Sequence, residues 1–307
     1  MASTSVSPAS AATSSAGKRW LGGLKRLFTW VALAAMAVAV WKSWGFLAGA
    51  WSQVAVGNVV AAVALWSATH FVSPACTVLV LGRSKAIDYR SAWQVHALRL
   101  PAKYLPGGIW HMAGRVVDLR GLGHAPRSLV EFVLMENLVA AAFALGTGAT
   151  LLLASGETRW RGLLAVVAVL GLLGLVLVPR LVKLVGRTES AFPADRYARL
   201  IAVTAGFWAL AAAAFLLFVT GFGSDVMQAN PAAKIGTYLF SWGAGFVAFF
   251  APQGVGVFEF VSATMLGDKL DLARAVALMA SFRVVVLAGD LSAWVIAIAL
   301  SRGPGVR

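Results

Sequence analysis

The sequence predicts an all-α polytopic membrane protein: about six spans plus two broken or re-entrant hairpins in an inverted repeat (eight helices if the hairpins are counted as spans). Three observations predict this. Of the 307 residues, 60% are apolar and 12% charged, whereas a soluble domain carries about a quarter charged residues. Several apolar runs reach the roughly 20 residues a helix needs to cross a bilayer. The Lys and Arg residues collect in short connections between those runs, as they do in cytoplasmic loops.

The elements follow in order. The first 17 residues are rich in Ser, Ala and Thr and are expected to be disordered. With Lys18, Arg19, Lys25 and Arg26 they make residues 1–26 a basic cytoplasmic N-terminus. The apolar run from Leu27 is similar to a signal peptide, but it continues through Trp41, Trp44, Phe46 and Leu47, so an uncleaved span is expected over 27–47. Further spans are expected at 54–81, 128–154, 161–178, 200–221 and 275–300. Two more apolar segments are interrupted. Residues 92–113 contain His96, Arg99, Pro101, Lys103, Pro106, Gly107 and Gly108; residues 235–266 contain Pro252, Gln253, Gly254 and Gly256. Residues 27–300 read as a single membrane domain with halves 27–154 and 161–300, and 301–307 as a short cytoplasmic tail.

Charge decides how the interrupted segments run. If each returns to the side it left, the inside loops hold 17 Lys/Arg and the outside loops 6; if each crosses once, the totals are 12 and 11. The positive-inside rule selects the first arrangement, with both termini cytoplasmic. Each half then reads span, span, hairpin, span, in opposite orientation. That is the inverted-repeat plan of many transporters, whose broken helices mark a substrate site near the midplane. Hairpins that span fully as two helices would leave the loops on the same sides.

Proline removes a backbone donor and clashes with the preceding turn, so Leu105-Pro106-Gly107-Gly108 ends a helix. The break is either a simple kink or the lining of a pathway, since irregular backbone at membrane depth survives only inside protein or beside a wet cavity. His96, Arg99 and Lys103 are spaced to share one helical face, as are His111 and Arg115. Arg99 and Lys103 are suited to hold a lipid phosphate, or to snorkel to the interface. In the second segment Glu259 follows the break, where a helix start favours an anion. Glu131 and Glu136 lie in the third span, and Arg283 and Asp290 are seven apart in the last, too far to pair with each other. Glu136 or Asp290 is expected to partner the basic group of the first hairpin. Asn58 and His70 read as inter-helix glue, and most Trp residues as interfacial anchors.

A net charge of +14 without a nucleic-acid motif points to anionic lipid head groups rather than to nucleic acid. The single cysteine, Cys76, excludes an internal disulfide. No Walker loop, zincin motif, metal-type cysteine spacing or nucleophile elbow occurs. No cofactor, metal or enzyme activity is expected.

The stretch Lys103-Tyr104-Leu105-Pro106-Gly107-Gly108-Ile109-Trp110, followed by Ala113-Gly114-Arg115, resembles a motif of the lysylphosphatidylglycerol synthase transmembrane-region family. Pro252, Gly254, Val255, Gly256 and Glu259 resemble its second motif, although Phe258 stands where many members have Arg. The resemblance covers roughly 25–300 and implies a flippase-like lipid module. It does not imply lysyl transfer, which belongs to members with a large soluble domain; here a separately encoded glycosyltransferase or lipid-modifying enzyme would be the partner.

Three functions follow as expectations. The first is a flippase-like translocator of an anionic or polyprenyl-linked lipid in a bacterial-type cytoplasmic (inner) membrane. Arg99, Lys103 and Arg115 would bind phosphate, and Glu136, Glu259 and Asp290 would balance charge or exchange protons. Pro106, Gly107, Gly108, Pro252, Gly254, Gly256 and Arg283 complete its candidate substrate-binding set. The second is a non-catalytic scaffold for a partner enzyme, docked on the basic 179–199 loop. The third, an intramembrane enzyme using His96, His111 and Glu136, lacks a recognisable catalytic spacing.

Overall fold

The computed structural model describes residues 34, 37, 38, 40–52, 54–105, 109–156, 159–186, 192–222, 230–248, 251–265 and 272–301. All their regular elements are helical. In chain order these are α1 (Trp44–Ser52), α2 (Val56–Leu81), α3 (Tyr89–Leu98), a 3-10 turn (Leu100–Tyr104), α4 (Trp110–Gly121), α5 (Pro126–Ala154), α6 (Arg161–Gly186), α7 (Ala194–Thr220), α8 (Pro231–Val247), a second 3-10 turn (Pro252–Gly254), α9 (Val257–Met265) and α10 (Leu272–Ser301).

Five of these, α2, α5, α6, α7 and α10, are long and apolar enough to cross a membrane. They correspond to five of the six expected spans; about half of the sixth, 27–47, lies outside the described residues. The main displacement is at Pro179, where the sequence suggests an end. The helix instead continues through it to Gly186, and α7 begins at Ala194. The expected 179–199 docking loop is therefore largely helix. α6 faces outward along its length, with Leu170, Val176 and Leu184 exposed, the pattern of a helix solvated by lipid.

Local chemistry sets the helix starts. Asp88 caps α3, accepting the Ser91 N–H at 2.9 Å and its hydroxyl at 2.6 Å. These bonds hold its carboxyl below the usual carboxylate range. Asn230 caps α8, with Pro231 in the first turn, and Pro126 opens α5. Within α2, the hydroxyls of Ser67 and Ser73 bond to carbonyls four residues back, so neither needs water.

Small residues let the long helices approach. A Cβ placed on Gly148 of α5 would lie 2.5 Å from the Phe240 backbone nitrogen of α8, and one on Gly171 of α6 would lie 2.5 Å from Gly146 Cα. Without a hydrophobic drive between helices in lipid, such contact supplies much of the association. The largest core cluster joins α2, α5, α7, α8, α9 and α10. Its aromatic centre sets Phe282 edge-on to Phe215 at 5.2 Å and to Tyr238 at 5.9 Å. Trp242 packs against Trp208 at 4.8 Å.

Contacts sort the connections to two ends of the bundle. At one end Lys85 donates to the Leu122 carbonyl at 2.5 Å, Arg83 pairs with Glu131, and the Arg83 guanidinium lies over Phe192. At the other end Ala55 N–H bonds to the Gly221 carbonyl at 3.0 Å, and Trp51 stands edge-on to Phe222 at 5.2 Å. Lys85 precedes α3 and Leu122 follows α4, so the first broken segment leaves and rejoins the same end. α3 and α4, with 10 and 12 residues, are about 15 and 18 Å long.

Candidate functional site

The first broken segment changes geometry at Arg99, where α3 gives way to the 3-10 turn with Pro101 in its first turn. The face expected for His96, Arg99 and Lys103 is therefore split. Arg99 turns outward and forms a bidentate pair with Asp118 of α4, both bonds 2.6 Å. Gly114 permits this close passage, because a Cβ there would meet Arg99 Cδ at 2.9 Å. Lys103 turns inward and reaches Asp290.

Asp290 on α10 is the centre of the site. Its side chain is 1% exposed, and four donors converge on it. Trp66 Nε1 at 2.9 Å and His70 Nε2 at 2.7 Å approach Oδ1. Lys103 Nζ at 3.2 Å and the Tyr104 hydroxyl at 3.0 Å approach Oδ2. A buried carboxylate persists only when paired and fully hydrogen-bonded, and this one has donors on both oxygens. Trp66 is about 15 Å along α2 from its first residue and about 22 Å from its last, so the cluster lies deep within the bundle. Gly289 allows α10 to approach α2 there, since a Cβ on it would come to 2.6 Å from the Trp66 ring.

The polar network continues from His70. Its Nδ1 lies 3.1 Å from His96 Nε2, and the His96 ring meets the His111 ring edge-on with centroids 5.4 Å apart. One turn along α4 from His111, the buried Arg115 makes a bidentate pair with Glu136 at 2.7 and 2.9 Å. It also donates to Thr77 Oγ1 at 3.1 Å and lies over the Phe132 ring. Both Glu136 and Asp290 thus partner the first hairpin, with different cations.

The second broken segment is held by Arg283. Glu259, 1% exposed, sits in the first turn of α9 and accepts the Gly256 N–H at 2.8 Å. Arg283 donates to the same carboxylate and to the Gln253 carbonyl at 3.4 Å. Glu259 therefore combines a helix-start role with an ion pair. The break itself needs left-handed backbone at Gln253 (φ 54°), Gly254 (φ 62°) and Gly256 (φ 83°). Gly254 also lies against α8, where its Cβ would come within 2.9 Å of Gly245 Cα. Pro252 opens this 3-10 turn, while Pro106, Gly107 and Gly108 lie outside the described residues.

The structure brings Lys103 and Asp290 together, Arg115 and Glu136 together, and Glu259, Arg283, Gly254 and Gly256 together. It separates Arg99 from all three groups. The sequence reading missed Trp66 and Tyr104 as partners of Asp290, and it treated His70 as simple helix glue. The available signal was the spacing of Trp66 and His70, four apart on a span that also needs an acceptor for each. Among the described residues no group of His, Cys, Asp and Glu is arranged to hold a metal ion.

Searched against protein-family models, the chain matches none, and no curated protein matches it either.

Proposed function

We propose that this protein is a flippase-like translocator that moves a lipid with an anionic or polyprenyl-linked head group across a bacterial-type cytoplasmic membrane. In this reading both broken segments are re-entrant hairpins from opposite sides, within an inverted repeat of two halves. The resemblance to the lysylphosphatidylglycerol synthase transmembrane region points the same way.

One observation carries the reading. The tip of the first hairpin delivers an ammonium, Lys103, deep into an apolar bundle, and that ammonium is 21% exposed beside a carboxylate that is 1% exposed. The flanking Tyr104, Leu105, Ile109 and Trp110 are exposed and largely apolar. A phosphate head group can therefore compete with Asp290 for Lys103 while its acyl chains remain against apolar side chains. A charged group at this depth is costly and is usually tied to a substrate or ion path. Arg115 is buried, with both terminal nitrogens engaged by Glu136 and Thr77, and supports the wall of this site.

The test is lipid movement in proteoliposomes containing phosphatidylglycerol, a neutral phospholipid or a polyprenyl phosphate, each labelled. The expected result is movement of one anionic class, reduced at least about tenfold in Lys103→Ala, an interaction loss of about 1.4 kcal/mol. Folded Lys103→Ala protein that moves lipid at the wild-type rate would sink the assignment.

A further inference from the structure

The direction of every hydrogen bond along the histidine chain can be assigned. Lys103 is a donor only, so Asp290 accepts from it, and the Trp66 indole and His70 Nε2 also donate to Asp290. His70 then carries its proton on Nε2 and its Nδ1 must accept. Among the described residues the group on that nitrogen is His96 Nε2, at 3.1 Å, so His96 donates through Nε2. Its remaining nitrogen, Nδ1, is a bare acceptor. That atom is buried and has no partner among the described residues, and His96 is 4% exposed. His111, partly exposed, stands edge-on to His96 and leads toward the exposed Trp110.

We propose that His96, His70 and Asp290 form a proton relay whose delivery of a proton to Asp290 releases Lys103 to an anionic phosphate head group. The transfer balances. One proton binds His96 Nδ1; the His96 Nε2 proton passes to His70 Nδ1; the His70 Nε2 proton passes to Asp290 Oδ1. Both imidazoles end neutral with their tautomers reversed, and Asp290 becomes a carboxylic acid. The ammonium of Lys103 has then lost its counter-ion and takes the phosphate in its place. One proton enters for each anionic head group bound, so the cluster carries a compensated charge both before and after the exchange. The charged and titratable groups facing the relay are few. His70 meets Asp290, Lys103, His96 and His111; His96 meets His70, His111, Arg115 and Lys103; Asp290 meets His70, His111, Lys103 and Tyr104. Arg115 is committed to Glu136, so Lys103 is the cation that the relay can free.

The lipid half of this inference rests on the proposed transport function, and the proton half does not. The full-length protein in liposomes is acidified rapidly and followed by infrared difference spectroscopy. A carboxylic acid band should appear in the wild type and vanish in Asp290→Asn. In His96→Phe, which keeps an aromatic ring and removes both nitrogens, the band should form about 10²-fold more slowly, a magnitude usual for a lost proton shuttle. His96→Gln serves as a second variant should the Phe form fold poorly. Liposomes of phosphatidylglycerol should raise the proton affinity of the band about tenfold over phosphatidylcholine liposomes, within the usual range of coupling. Absence of the band, or wild-type kinetics in both folded His96 variants, overturns the relay. Equal proton affinity in the two lipids overturns the exchange with Lys103. A His96-dependent band in protein that moves no lipid supports the relay and removes the transport reading alone.

Discussion

The first broken segment brings Lys103 and Tyr104 to Asp290 on α10; the second brings Glu259 and the Gln253 carbonyl to Arg283, two turns earlier on the same helix. The two clusters differ in how they are closed. At Arg283 the partners are supplied within a short stretch, 253–259, and the break is fixed by three left-handed residues. At Asp290 the partners come from α2, the 3-10 turn and, through His70, from α3. That network ends in an imidazole nitrogen without a partner among the described residues. A locally completed ion pair suits a fixed joint. A network assembled from distant elements, with open capacity at its edge, suits a site that exchanges partners.

Breaking the central ion pair of each cluster should have the largest effect. Asp290→Ala leaves Lys103, His70 and Trp66 without their shared acceptor, and a broken buried pair costs about 3–5 kcal/mol. Steep loss of folded protein in detergent should show it, with Asp290→Asn less damaged because the amide oxygen still accepts. Arg283→Ala strands the buried Glu259 carboxylate at a cost in the same range, again about 3–5 kcal/mol. Here Glu259→Gln in the same chain should recover stability. No recovery would mean that the second cluster is not a self-contained pair.

Smaller effects sharpen the contrast. Gly148→Val, in the α5–α8 contact away from both clusters, should cost about 1–3 kcal/mol by overpacking, read as a lower unfolding midpoint with lipid specificity retained. Arg99→Ala removes a pair whose side chains are 44% and 26% exposed, so about 1 kcal/mol or less is expected. A large loss of lipid movement in folded Arg99→Ala would return Arg99 to the proposed transport site despite its outward position. Gln253→Gly relieves a non-glycine residue from left-handed backbone, whose cost is about 1–2 kcal/mol, and a small rise in thermal stability should follow.

The sequence reading found the long helices because apolar runs are local and continuous. Residues 54–81 and 275–300 are close to α2 and α10. It misjudged the end of α6, because a proline near an interface does not have to stop a helix whose neighbours are already set. Arg99 and Lys103 were assigned a common face by helical spacing, and the change to a 3-10 turn at Leu100 is what separates them. Glu136 and Asp290 were legible as needing cations, since buried carboxylates cannot stand alone. The identities of Trp66, His70 and Tyr104 as donors were not, because they meet Asp290 only after α2, the hairpin tip and α10 have come together.

Arg283 and Asp290 also have a mechanical consequence. Seven residues make nearly two full turns, so the two side chains leave α10 in almost the same direction, about 10 Å apart. A stiff helix that engages both broken segments behaves as a rack with two teeth. Sliding or rolling it at one tooth displaces the other by the same amount, with no chain of side chains needed to carry the message.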